Sequence, residues 1–109
     1  MNKLVETNWD QLWPIVNILN EVCNGVRVDD FEDKIGGMRE EVSILLDKIM
    51  SYEVEESELK NRIVIKVNEK EIDIIKNSLK EVSKQIEEWE FQTRIGITLE
   101  QLEEILKLF

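Results

Sequence analysis

An internal repeat is the feature that most constrains how this chain folds. Residues 18–49 align without a gap on residues 78–109, at an offset of 60 positions. Eight of the 32 aligned pairs are identical, whereas unrelated sequences of average composition would share roughly two. The identical pairs are Leu19/Leu79, Glu21/Glu81, Val22/Val82, Phe31/Phe91, Ile35/Ile95, Gly36/Gly96, Glu40/Glu100 and Leu46/Leu106. The repeat predicts two copies of one supersecondary unit, at about 3–49 and 63–109, joined by an acidic linker at 50–62.

Each copy opens with a pattern that predicts a strand followed by a helix. The β-branched stretch is strong at Arg62–Val67 and weaker at Lys3–Glu6. Asn8 or Asn68 follows, and a Gln or Glu three residues later gives the spacing of a capping box. Apolar residues at spacings of three and four then predict an amphipathic helix. They are Leu12, Ile15, Leu19, Val22 and Val26 in the first copy, and Ile72, Ile75, Leu79, Val82 and Ile86 in the second.

A compact turn and a second helix complete each copy. The turn carries Phe31 or Phe91, which we expect in the core because both copies keep it. It ends in an Ile-Gly pair whose glycine suits a left-handed helix end. The predicted fold is one domain over 1–109, mainly α with a small β component (α+β), built as strand–helix–helix twice. We expect the copies to pack face to face about a pseudo-twofold axis, with an unduplicated helical bundle as the alternative.

The chain lacks the side chains on which several function classes depend. It has no histidine and a single cysteine, Cys23, which excludes histidine-based catalysis, Cys/His zinc sites and an intramolecular disulfide. No spacing of carboxylates marks an acid–base pair, and the acidic stretch Asp29–Asp33 lacks the pattern of a calcium loop. We therefore expect no enzyme activity, no dedicated metal and no cofactor, with a carboxylate enzyme as the least favoured alternative.

The charge of the chain indicates which partners it favours. Its 24 Asp and Glu residues against 14 Lys and Arg give a formal net charge of -10. This balance disfavours nucleic acid and anionic membrane surfaces, and it favours a basic protein, whose approach an acidic surface accelerates and orients. The competing interpretation is that the charge serves solubility alone. Because no apolar stretch is long enough to cross a membrane and no signal-peptide pattern opens the chain, we expect a cytoplasmic protein.

Three acidic clusters are the candidate partner-binding residues, each with an aromatic side chain able to anchor an interface. They are Asp29, Asp30 and Asp33 around Phe31; Glu53, Glu55, Glu56 and Glu58 after Tyr52; and Glu87, Glu88 and Glu90 flanking Trp89. Trp89 aligns with Asp29, so it either lies exposed or simply continues the apolar stripe of the preceding helix. Few of these carboxylates recur in both copies, so the repeated core does not require the acidic surface.

These features predict a non-enzymatic acidic protein that neutralises a basic partner protein. Its most concrete form is a bacterial immunity protein or antitoxin whose carboxylates block the basic active site of a toxin nuclease. The alternative is a structural or regulatory module that homodimerises, or docks on a larger complex, through Trp9 and Trp13. These tryptophans align with Glu69 and Asp73, so the repeated core does not require them. The sequence leaves the oligomeric state open and slightly favours a monomer.

Overall fold

A computed structural model describes residues 2–52 and 62–109, the first and second halves of the chain. The elements in chain order are β1 (Asn2–Thr7), α1 (Trp9–Asn20), a π-helical turn (Glu21–Gly25), α2 (Phe31–Ile35), α3 (Arg39–Met50), β2 (Ile63–Asn68), α4 (Glu69–Gln85), α5 (Glu88–Ile95) and α6 (Leu99–Leu106). The predicted α+β class is confirmed, since the described residues are mainly helical with a small antiparallel sheet. The segments predicted as compact turns contain the short helices α2 and α5.

The two predicted strands pair with each other in a two-stranded antiparallel sheet. Val5 lies opposite Ile65, a residue 60 positions away, which is the offset of the sequence repeat. On β2, residues 63, 65 and 67 are buried and the two between them are exposed, so one face of the sheet packs on the helices. The sheet therefore joins the beginning of the first half to the beginning of the second.

Side-chain caps explain where three of the helices begin, and two of them are the predicted caps Asn8 and Asn68. The side chain of Asn68 accepts a hydrogen bond from the Glu71 amide at 2.8 Å, and the Glu71 carboxylate accepts one from the Asn68 amide at 2.9 Å. Thr98 and Gln101 form the same reciprocal box at the start of α6. Asn8 caps α1 by accepting from the Gln11 amide at 2.9 Å. These bonds satisfy amides that the first turn of a helix leaves without a partner.

The two halves exchange their short helices. α2 of the first half packs against α4 of the second, and α5 of the second half packs against α1 of the first. Phe91 on α5 is buried, as predicted, whereas Phe31 on α2 is only partly buried and lies under the Arg39 guanidinium, 4.7 Å from its ring centroid. The apolar stripes of α1 and α4 belong to one buried cluster to which both halves contribute.

Two asparagines fix the ends of the exchanged helices. The Asn17 side chain donates a hydrogen bond to the carbonyl of Ile95, the last residue of α5, at 2.7 Å. The Asn77 side chain donates to the carbonyl of Ile35, the last residue of α2, at 3.0 Å. The next residue in each case is a glycine with a positive φ, 92° at position 36 and 106° at position 96, which a residue with a Cβ rarely adopts. Each half thus caps a helix of the other.

The first long helix differs from the second at its C-terminal end. α4 stays regular to Gln85, whereas α1 continues into the π-helical turn, in which the Val26 amide donates to the carbonyl of Glu21 at 2.7 Å. Such a turn leaves backbone carbonyls without helical partners. Arg39 donates to two of them, the carbonyls of Val22 and Cys23. The position that aligns with Arg39 in the second half is Leu99, in keeping with the regular end of α4.

We expect Asn17→Ala and Asn77→Ala each to lower the free energy of unfolding by about 1–2 kcal/mol, because each leaves a helix-ending carbonyl without its donor. Urea unfolding of the purified variants measures the loss. Asn20→Ala is the matched control, since Asn20 lies on α1 and its side chain is exposed and bonded only to exposed Asn24 among the described residues. Equal stability of all three variants would contradict the capping role.

Candidate functional site

Two of the three predicted acidic clusters begin close to each other in the fold. The Gln85 side chain, at the end of α4, donates a hydrogen bond to the backbone carbonyl of Arg27 at 2.6 Å. Asp29 and Glu87 each follow one of these bonded residues by two positions, a chain length of at most about 7 Å. The structure therefore brings both clusters to one end of the molecule. We call this surface the acidic end and define it as Asp29, Asp30, Asp33, Glu87, Glu88, Trp89 and Glu90.

The structure does not test the third predicted cluster. Glu53, Glu55, Glu56 and Glu58 lie outside the described residues, and their proposed role stays a prediction. Tyr52, the aromatic residue that precedes them, is partly buried against the core. The candidate site is therefore built on the acidic end alone.

Most carboxylates of the acidic end have no positive partner among residues 2–52 and 62–109. Asp29 forms an exposed ion pair with Arg27 at 3.3 Å, which contributes little stability in water. Glu90 lies 3.7 Å from Arg94, but that guanidinium makes its closest contact, at 2.5 Å, with Glu21 of the π-helical turn. The carboxylates without an ion pair within these ranges are Asp30, Asp33, Glu87 and Glu88. A basic partner would not have to break existing pairs to reach them.

Trp89 is the apolar side chain at this end of the molecule. It is 75% exposed, the highest value for a large apolar residue in the described ranges, so it does not continue the core stripe. Its indole N–H donates to the Glu87 carboxylate at 3.3 Å. The residue two positions on, Phe91, is buried on the opposite side of α5. An exposed tryptophan flanked in sequence by carboxylates has the composition of an interface anchor with a charged rim.

Asp30 holds a backbone conformation that few residues other than glycine adopt. Its φ is 52° and its ψ is 49°, which is the left-handed region, and it directly precedes α2. Aspartate and asparagine tolerate this region better than other residues with a side chain. The side chain makes no capping hydrogen bond to α2, and it is exposed. Its carboxylate is therefore free to contact a partner.

A second apolar surface surrounds the other two tryptophans. Their rings lie 5.9 Å apart and are tilted by 48°. A cavity of about 510 Å³ is lined by Trp9, Asp10, Trp13, Pro14, Gly96 and Ile97. A second cavity of about 320 Å³ shares Trp13 with it and is lined by Trp13, Val16, Asn17, Asn20, Leu46, Asp47 and Met50. We call the two cavities together the tryptophan groove.

Sequence reasoning identified the tryptophans of this groove but not the groove itself. Trp9 and Trp13 were distinguishable because the aligned positions of the second copy are acidic. The remaining walls come from α3 and from the turn at Gly96 and Ile97, which are distant in sequence. No local spacing places these segments beside α1, because their position depends on tertiary packing. α3 packs on α1 within the first half, and Gly96 follows α5, which packs on α1 from the second half.

The described residues offer little reactive chemistry. No three His, Cys, Asp or Glu side chains within residues 2–52 and 62–109 are grouped in a way that would hold a metal ion. Burial raises the pKa of the Cys23 thiol, and the nearby Arg39 guanidinium offsets part of that rise. Because the thiolate is the nucleophilic form, Cys23 is a weak nucleophile at neutral pH. In the same ranges, no helix has both the length and the apolar composition needed to cross a bilayer.

No protein-family model, curated protein or solved structure matches this chain.

We expect Trp89→Ala to change the free energy of unfolding by less than about 0.5 kcal/mol, because the exposed side chain leaves no cavity. Phe91→Ala, two residues away on the same helix, removes a buried ring and should lower it by about 3–5 kcal/mol. Urea unfolding of both variants provides the comparison. A loss at Trp89 as large as that at Phe91 would place Trp89 in the core and remove it from the candidate site.

Proposed function

We propose that this protein is a non-enzymatic binding protein that neutralises a basic partner protein through its acidic end. The observation that carries the proposal is the exposed Trp89 beside Glu87 and Glu88, which form no ion pair within the described residues. Lys and Arg of the partner would pair with these carboxylates, and charge-assisted pairs of this kind are the stronger hydrogen bonds of interfaces. An arginine could also stack on the face of the Trp89 ring.

Electrostatic attraction would act before contact is made. The chain carries a formal charge of -10, and the acidic end holds Asp30, Asp33, Glu87 and Glu88 on one exposed surface. Complementary charge raises the rate at which a basic protein meets this surface and orients the encounter. Trp89 would then supply the desolvated contact that slows dissociation. The two roles predict different responses to salt.

The concrete form that we propose is an immunity protein or antitoxin of a bacterial toxin nuclease. A nuclease binds the phosphates of its substrate with clustered Lys and Arg. Carboxylates of the acidic end would occupy the positions of those phosphates and so exclude the nucleic acid. A cytoplasmic location belongs to this proposal, because the nucleic acid that needs protection lies in that compartment.

We also propose that the fold arose as a tandem duplication, with the two copies related by a pseudo-twofold axis. The pairing of Val5 with Ile65 supports this, because the offset of 60 positions relates the two residues. The matching bonds of Asn17 and Asn77 support it too, because each asparagine caps the short helix of the other half. A duplicated scaffold explains the shared core, whereas the acidic end is mostly not duplicated: Asp33 aligns with Thr93.

The proposal predicts that four isosteric neutralisations at the acidic end, Asp30→Asn, Asp33→Asn, Glu87→Gln and Glu88→Gln, slow association with the basic protein that co-purifies with the chain. We expect a loss of about tenfold or more in association rate at low salt, because steering depends on the summed charge. Asparagine keeps the left-handed backbone available at position 30. Stopped-flow tryptophan fluorescence measures the rate, from about 20 mM to about 150 mM salt, a range over which screening increases strongly.

A matched variant controls for net charge. Glu69→Gln, Asp73→Asn, Glu100→Gln and Glu103→Gln also remove four negative charges, from exposed positions outside the acidic end. We expect this variant to associate at close to the rate of the unmodified protein. Equal slowing in both variants would mean that net charge alone matters, and no slowing in either would reject the acidic end as the binding surface.

A further inference from the structure

We infer that the tryptophan groove binds an amphipathic helix of a partner protein, with apolar side chains at positions i and i+4 and with Lys or Arg beside them. The groove is open to solvent, since Trp13 is 45% exposed and Met50 36%. Trp9, Leu46 and Ile97 lie partly buried around them. Helices that bind in grooves commonly place apolar residues with this spacing into neighbouring pockets. This site is separate from the acidic end and does not depend on the function proposed for it.

The fold does not need apolar residues at these positions. Trp13 and Val16 on α1 align with Asp73 and Lys76 on α4, where the chain folds with charged side chains. The second half has a cavity lined by Lys76, Leu79, Glu103, Leu106 and Lys107. Three of these residues, Lys76, Leu106 and Lys107, align with residues that line the groove. At these three positions the groove has Val16, Leu46 and Asp47. The cavity of the second half has no aromatic lining residue, which supports a role for Trp13 in contact with another molecule.

The spacing of the two cavities fits successive turns of a helix. Along α1, one cavity is lined from Trp9 to Pro14 and the other from Trp13 to Asn20. Their midpoints on α1 are separated by about five residues, which is about 7 Å at the rise of an α-helix. Side chains at i and i+4 on a partner helix are separated by about 6 Å along its axis. A partner helix that runs along α1 can therefore place one such pair in the two cavities, which share Trp13.

The charge around the groove selects the partner. Asp10 lines one cavity and Asp47 lines the other, and no Lys or Arg is among the described residues that line either. Basic residues next to the apolar pair of a partner helix would lie close to these two carboxylates. A second copy of this chain fits poorly, because two chains of charge -10 repel and a symmetric contact would bring the same carboxylates together. A basic amphipathic helix satisfies both the apolar lining and the charged rim.

A synthetic helical peptide of about 18 residues, with one Leu pair at i and i+4 and Lys at the flanking positions, tests the inference. Titration into the full chain at about 150 mM salt, where exposed charges are largely screened, is followed by two-dimensional NMR. We expect the Trp13 indole N–H signal to shift and that of Trp89 to stay in place. A peptide with the Leu pair moved to i and i+2, which face different sides of a helix, should bind about tenfold more weakly.

Variants of the groove give the decisive comparison. Trp13→Asp introduces the residue found at the aligned position 73 and should weaken peptide binding about tenfold or more, as loss of a central aromatic anchor does. Ile44→Asp, at an exposed position on α3 outside both surfaces, is the matched control and should leave the affinity unchanged. Met50→Lys alters the groove from α3 and should also weaken binding, which keeps the test valid if Trp13→Asp does not fold.

Three outcomes would overturn the inference. The first is a shift of the Trp89 indole signal rather than the Trp13 signal. The second is equal affinity for the two peptides that differ in Leu spacing. The third is full peptide affinity in both Trp13→Asp and Met50→Lys. Light scattering adds a fourth. The unmodified chain would be a dimer that the peptide does not dissociate, and Trp13→Asp would be a monomer. In that case a second copy of the chain would be the occupant of the groove.

Discussion

The exchange of short helices between the two halves is the constraint on which the rest of the structure depends. α2 covers α4, α5 covers α1, and the side chains of Asn17 and Asn77 hold the final carbonyls of the exchanged helices. The sheet adds a third link, since β1 of the first half pairs with β2 of the second. Burial of the apolar stripes supplies most of the stability, and these links determine which surfaces are brought together to achieve it. The core is consequently one cluster shared by both halves.

A closed, shared core leaves the outer surface free to carry function. The positions that form the acidic end and the tryptophan groove align with residues of different chemistry in the other half: Trp89 with Asp29, and Trp13 with Asp73. In each pair, the sequence alignment sets an aromatic ring in one half against a carboxylate in the other. One half presents a groove with an apolar lining, and residues from both halves present an exposed tryptophan and carboxylates. We propose a basic protein partner for both surfaces.

Periodicity and capping patterns in the sequence located the strands, the long helices and the core stripes. They did so because these signals are local, as at Asn68 and Glu71, whose reciprocal bonds follow from a spacing of three. The short helices were missed because α2, with five residues, is too short to show a helical period. The tryptophan groove could not be predicted because its walls come from segments distant in sequence. The proximity of the two acidic clusters could not be predicted either, since it depends on how α4 packs against the π-helical turn and on the hydrogen bond from Gln85 to the Arg27 carbonyl.

Native-state hydrogen exchange tests most directly whether the two halves form one cooperative unit with a shared core. The amides of Leu19 and Leu79 occupy aligned positions on α1 and α4, and both side chains are buried. If each half depends on the other, both amides should exchange only through global unfolding, with opening free energies that agree with each other and with urea unfolding to within about 0.5 kcal/mol. If one half opened separately, at a free energy lower by about 2 kcal/mol or more, the claim of a shared core would be contradicted.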